Sequence, residues 1–128
     1  MNLLLDTHSF IWFVENDSRL PANIKKEIEK PSNIVFVSIA SLWEITIKIS
    51  IGKLTTKAVI DKIIEQVADN GFEIVPILPE HLLTLSKLDF FHRDPFDRLI
   101  IAQALCDGYR VIGKDAMFDS YKVKRLWG

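Results

Sequence analysis

Residues 94–115 read DPFDRLIIAQALCDGYRVIGKD, a helix with both ends marked, followed by a short apolar strand. Asp94 suits an N-cap and Pro95 a first helical turn. Gly108 suits the left-handed residue that ends such a helix. Arg110–Ile112 then reads as a strand. Working outward, the same alternation fills the chain. Further strands are expected at Asn2–Leu5, Asn33–Val37, Glu73–Ile77 and Tyr121–Arg125. Helices are expected at Thr7–Val14, at Pro21–Lys30 with Pro31 after it, and from a Ser38 cap through Ile49 with Gly52 just past its end. Two more are expected from a Thr56 cap through Asn70, closed by Gly71, and over Pro79–Leu88. Short apolar strands alternating with longer helices predict an α/β protein with a mainly parallel central sheet of about five strands. No linker, low-complexity tract or repeat divides the 128 residues, so a single domain over 1–128 is expected.

Composition narrows the function classes. At 48% hydrophobic and 26% charged, the chain has the apolar content for a packed core and is unlike a disordered one. The formal net charge of −1 excludes a strongly basic nucleic-acid coat and leaves room for a local basic rim. One cysteine, Cys106, permits no internal disulfide and no cysteine-based zinc site, and suits a reducing compartment. It is expected to pack as a small apolar residue in its helix. The run Leu3-Leu4-Leu5 stops at Asp6 without a basic segment before it, and no apolar stretch is long enough to span a bilayer. A soluble, cytoplasmic protein is the expectation.

In a parallel α/β sheet, ligands bind beyond the carboxyl ends of the strands, so acids placed there carry the most information. Asp6 directly follows Leu3–Leu5, and Asp115 lies just past Val111-Ile112. Glu44 falls in the helix after the Asn33–Val37 strand, and Asp94 and Asp97 share one face at the start of the quoted helix. Carboxylates gathered at one edge repel one another unless a cation holds them. Oxygen donors without cysteine favour Mg²⁺ or Mn²⁺, and such sites commonly activate water for attack on a phosphodiester. Each acid also has a plainer reading. Asp6, Asp94 and Asp115 suit helix or turn caps, and Glu44 suits an i, i+4 pair with Lys48. Asp97 heads an apolar stripe through Ile101 and Ala104, which a capping contact only partly explains.

Four stretches, Leu4–His8, Ser41–Lys48, His92–Ala104 and Val111–Asp115, span nearly the whole chain. In their order and spacing they resemble the PIN-domain nucleases, specifically the VapC-like toxins of type II toxin–antitoxin systems. The resemblance implies a PIN-like three-layer α/β/α fold and an Mg²⁺- or Mn²⁺-dependent endoribonuclease. It also implies a homodimer held inactive by a cognate antitoxin. By motif it assigns Asp6, Glu44, Asp97 and Asp115 as catalytic and metal-holding, with Asp94 a further metal candidate from the Asp-Pro-Phe-Asp subgroup. The residue before Asp115 is often a small hydroxyl or Arg in relatives; here the run is Gly113-Lys114-Asp115.

RNA must reach an acidic pocket, and Lys48, Lys53, Arg93, Arg98 and Lys114 are candidate phosphate contacts. Arg98 has an alternative as an i, i+4 partner of Asp94. Thr7 is a candidate hydrogen-bond donor to an acid or phosphate, or else a helix-start residue. His8 and His92 flank the acids, although the acid set suffices without them. The basic tail Lys122–Arg125 also reads as a charged edge strand. Phe10, Trp12 and Phe13 read chiefly as core, and Ile45–Leu54 is apolar enough for a dimer or antitoxin groove. The competing functional reading is a non-catalytic PIN-like module that docks RNA or a partner. A phosphoaspartate enzyme is disfavoured, because Asp6-Thr7-His8 lacks the second acid two positions on.

Overall fold

The computed structural model describes residues 1–53 and 59–128. Five strands, β1 (Asn2–Leu5), β2 (Ile34–Ser38), β3 (Glu73–Val75), β4 (Arg110–Ile112) and β5 (Arg125–Leu126), form one sheet in the order β3-β2-β1-β4-β5. Every pairing is parallel; Leu5, for example, lies opposite Val37 on one side and Ile112 on the other. The helices are α1 (Thr7–Val14), α2 (Ala22–Glu29), α3 (Ile39–Ser50), α4 (Ile60–Asp69), α5 (Pro79–Ser86) and α6 (Pro95–Asp107), with a short 3₁₀ helix at Ala116–Ser120.

Central strands of a parallel sheet are covered on both faces and read as unbroken apolar runs. Leu3, Leu4 and Leu5 are all fully buried for that reason. Their side chains alternate between two cores. Leu3 and Leu5 join Val35, Val37, Phe10, Ile24, Ile45 and Ile63 on one face. Leu4 joins Val111, Ile100, Ile101 and Phe118 on the other. This is the three-layer α/β/α arrangement. Among the described residues, no helix is long and apolar enough to cross a membrane.

Local chemistry sets the helix ends nearest the sheet edge. β2 runs straight into α3, where Ser38 Oγ accepts from the Ala40 N–H at 3.0 Å and donates to the buried Gln103 Oε1. Gln103 in turn donates to the Pro76 carbonyl, tying α6 to the segment after β3. α6 begins at Asp94, whose Oδ1 accepts from the Phe96 and Asp97 N–H groups, and ends at Gly108 with φ 76°.

Three expectations are corrected. The last strand is Arg125–Leu126 rather than Tyr121–Arg125, because the Tyr121 side chain is buried and its hydroxyl donates to the Asp89 carbonyl at 2.6 Å. That contact holds residue 121 at the end of the 3₁₀ turn, so pairing with β4 starts later. Cys106 is exposed, because the last turn of α6, Leu105–Asp107, runs past the core. α5 stops at Ser86, two residues short of Leu88. The expected cap at Thr56 lies outside the described residues; the helix it was to open is described from Ile60.

Candidate metal centre

The strand order reverses direction between β1 and β4, and in such sheets the crevice at the carboxyl ends of those two strands receives ligands. Asp6 leaves β1 there and Asp115 follows β4. A cleft of about 490 Å³ opens at this point, lined by Asp6, His8, Trp12, Asp97, Lys114, Asp115 and Ala116. Three of the predicted acids thus converge from β1, β4 and the first turn of α6.

Asp6 fills two roles at once. Its Oδ1 caps α1 by accepting from the Ser9 N–H at 2.9 Å. Its Oδ2 lies so close to Gly113 that a Cβ on that glycine would approach it to 2.7 Å. The absent side chain at position 113 therefore leaves room for the carboxylate. Asp115 is likewise both a cap, with Oδ1 accepting from the Met117 N–H at 2.9 Å, and a lining residue of the cleft. The capping and site readings of these acids are compatible, because a carboxylate has two oxygens.

The electrostatics follow from crowding. Burial, then the charges of Asp6, Asp94, Glu44 and Asp115, push Asp97 up to about 8 from an ordinary 3.8. Burial also raises Asp6, against the Ser9 hydrogen bonds that lower it. A cluster that resists its own ionisation in this way is suited to a divalent cation. Carboxylate oxygens without a thiolate in the cleft fit a hard ion such as Mg²⁺ or Mn²⁺. Donor atoms of His92, Asp97 and Asp115 all lie within 4.8 Å of one another.

Glu44 is buried on α3 and does not line that cleft; its Oε2 pairs with Lys48 Nζ at 2.8 Å. The i, i+4 pair is present, but around a buried carboxylate rather than an exposed one. Glu44 still belongs to the same electrostatic group, since its charge raises both Asp6 and Asp97. The ion pair, ahead of all else, raises Lys48. Asp94 does not line that cleft; its Oδ1 caps α6, Oδ2 takes no part in the cap, and its charge raises Asp97.

The basic candidates separate sharply. Lys114 lines the cleft, and Arg93 is exposed beside it near His92 and Asp115. Lys53 is exposed. Lys48 is held by Glu44. Arg98 is turned inward, contrary to both expectations for it, and neither faces RNA nor pairs with Asp94. Its guanidinium donates to the carbonyls of Asp89 at 2.9 Å, His92 at 3.3 Å and Leu88 at 3.4 Å, and sits over the Phe90 ring. A planar fork serving several carbonyls cannot be replaced by a point-charge ammonium. Arg98→Lys is expected to cost about 2 kcal/mol in urea unfolding, since hydrogen bonds to charged groups are worth about 1.5–3 kcal/mol. Thr7 is buried, with its hydroxyl donating to Ser41 Oγ at 3.0 Å, so it joins α1 to α3 rather than facing a phosphate.

Sequence reasoning underrated His92, whose Nε2 lies 2.9 Å from Asp115 Oδ2 and 3.0 Å from Asp97 Oδ2. It also missed Trp12 as a cleft wall and Tyr121 as the clasp of the 89–92 loop. The one signal for His92 was its place two residues before the Asp94 cap.

Over its full length the chain is similar to VapBC2 from Rickettsia felis, solved bound to a DNA fragment from its promoter, with a TM-score of 0.75 and 15% identity over 100% of both chains. It is similar to DNA-bound VapBC from Salmonella typhimurium, with a TM-score of 0.69 and 14% identity over 98% of this chain and 97% of that one. For FitAcB from Neisseria gonorrhoeae the values are 0.63 and 16%, over 97% and 96%. At these identities the likeness is one of fold. No curated protein matches the chain significantly. The sequence profile of the PIN domain matches residues 3–124, nearly the whole chain, and the chain belongs to the PIN-domain family.

Proposed function

We propose that the protein is a divalent-metal-dependent endoribonuclease, the VapC-like toxin of a toxin–antitoxin module, held inactive by a cognate antitoxin. The observation that carries this reading is the convergence of Asp6, Asp97 and Asp115 on one cleft at the switch point of the sheet. Glu44 acts on the same group through its charge. A bound Mg²⁺ or Mn²⁺ supplies Lewis-acid polarisation of a phosphodiester and acidifies water. Asp6, Asp97 and Asp115 would hold it, with Glu44 contributing field. The cation would hold Asp97 ionised, and an acid of the set would orient the attacking water. Lys114 and Arg93 offer the exposed charges that guide the RNA backbone to the cleft.

Two apolar faces support the protein partners of this reading. Trp43 and Ile47 on α3, and Ile51 at its C-cap, are exposed at i, i+4, i+8, with Trp43 edge-on to Phe96. Leu82, Leu83, Phe90 and Phe91 are exposed on α5 and the segment after it. A homodimer and an antitoxin each require such a face.

The test is incubation of antitoxin-free protein with total cellular RNA in Mg²⁺, in Mn²⁺ and in EDTA. Discrete products with either cation, lost in EDTA and regained on adding the cation back, are expected. A folded sample that cleaves nothing in either metal would move the reading to a binding module. Cleavage that persists in EDTA would exclude the metal site.

A further inference from the structure

His92 is held more tightly than a surface histidine needs to be. Its Nδ1 accepts from the Asp94 N–H at 3.1 Å, its own N–H donates to the Tyr121 hydroxyl at 2.9 Å, and its carbonyl accepts from Arg98 at 3.3 Å. The ring leans on Phe118. A backbone N–H can only donate, so Nδ1 presents a lone pair and the proton of the neutral ring sits on Nε2. That Nε2–H faces Asp115 Oδ2, 2.9 Å from Nε2, while Asp97 Oδ2 lies 3.0 Å from the same nitrogen. A cation on Nε2 would move the proton to Nδ1, against the Asp94 N–H. The seat therefore suits a donor to the Asp115 carboxylate with Asp97 in close contact, and opposes a metal ligand.

We infer that His92 is a positioning residue that braces Asp97, from α6, against Asp115, from the loop after β4, and thereby presets their spacing for the cation. Arg98 and Tyr121 serve the same device by fixing the loop that carries the ring. The inference rests on the metal-dependent reading above and deepens it. It also gives the inward turn of Arg98 a purpose, since the residue beside the acid supports the brace instead of the substrate.

Mn²⁺ binding followed by EPR tests it without reference to activity. H92F keeps the ring packing but has no N–H, and H92Q places an amide N–H within reach of the Nε2 position. H92F is expected to weaken Mn²⁺ binding about 10- to 100-fold, the usual cost of removing a group that orients metal ligands, with H92Q recovering most of the loss. Pulsed EPR of Mn²⁺ bound to the wild type is expected to show no directly coordinated imidazole nitrogen. Equal Mn²⁺ affinity in H92F and wild type would overturn the brace while leaving the metal site standing. A coordinated nitrogen that vanishes in H92F would overturn it in favour of a ligand. A wild type that binds no Mn²⁺ would overturn the metal-dependent reading, and the brace with it. Thermal unfolding of each variant confirms that the comparison is made between folded proteins.

Discussion

Asp6→Asn is expected to lower RNA cleavage by at least about a thousandfold while leaving the protein folded. Lewis-acid stabilisation at a metal site is worth several kcal/mol, and each 1.36 kcal/mol is a factor of ten. Removing a negative oxygen from the cleft weakens hold on the cation and strips charge from the reacting centre. The fold should be spared for a specific reason. Asn caps helices about as well as Asp, so the Ser9 N–H keeps its acceptor. Burial raises the Asp6 carboxyl, which means that ionised Asp6 strains the apo protein and a neutral amide relieves it. Single-turnover cleavage, together with a urea titration in EDTA, separates the two effects. Activity within tenfold of wild type, in a folded variant, would remove Asp6 from the reacting centre.

Asp6 shows why some of the site was legible in the sequence. A residue immediately after a buried parallel strand has its backbone fixed by the ladder; here the Asp6 N–H donates to the Ile112 carbonyl at 2.9 Å. Strand end and switch point together locate it without knowledge of the rest of the fold. The same holds for Asp115, three residues past β4, and for the bounds of α6, which its own Asp94, Pro95 and Gly108 set locally. What failed depended on direction or on distant partners. Consecutive helical residues are about 100° apart, so an Asp97 that faces the cleft turns Arg98 away from it. Sequence adjacency to the acid therefore misled. Tyr121 reads as the start of the last short strand, but its hydroxyl answers Asp89, thirty-two positions away, and the strand shifts accordingly. Glu44 and Lys48 were identifiable as a pair from spacing alone. The burial of Glu44, which links it to Asp6 and Asp97, comes only from how α3 lies on the sheet.

That shared field leads to the second large effect, on stability rather than rate. With Asp97 pushed up to about 8 from 3.8, the folded apo protein keeps a proton that the unfolded chain has lost throughout the interval between them. Stability changes with pH in proportion to protons bound by the unfolded state minus those bound by the folded state. Here that difference is negative, so the metal-free protein should lose stability as pH rises from about 4 to about 8. Each unit of pKa shift corresponds to about 1.4 kcal/mol at most, and solvent at the cleft mouth reduces it, which leaves an effect on the order of a few kcal/mol. Asp97→Asn removes one of the two raised acids and should make the slope shallower, leaving the variant more stable than the wild type at pH 8 in EDTA. A divalent cation should reverse the wild-type slope, because it binds the deprotonated cluster and stabilises only the folded state. Urea unfolding at pH 5 and pH 8, in EDTA and then in Mn²⁺, measures all four corners for both proteins. An apo wild type equally stable at both pH values, or an Asp97→Asn protein that keeps the slope, would mean that the acids do not share the field described here. The expected pattern is that of a site whose buried and mutually repelling acids destabilise the empty fold, so that loading the cation and stabilising the protein are a single event.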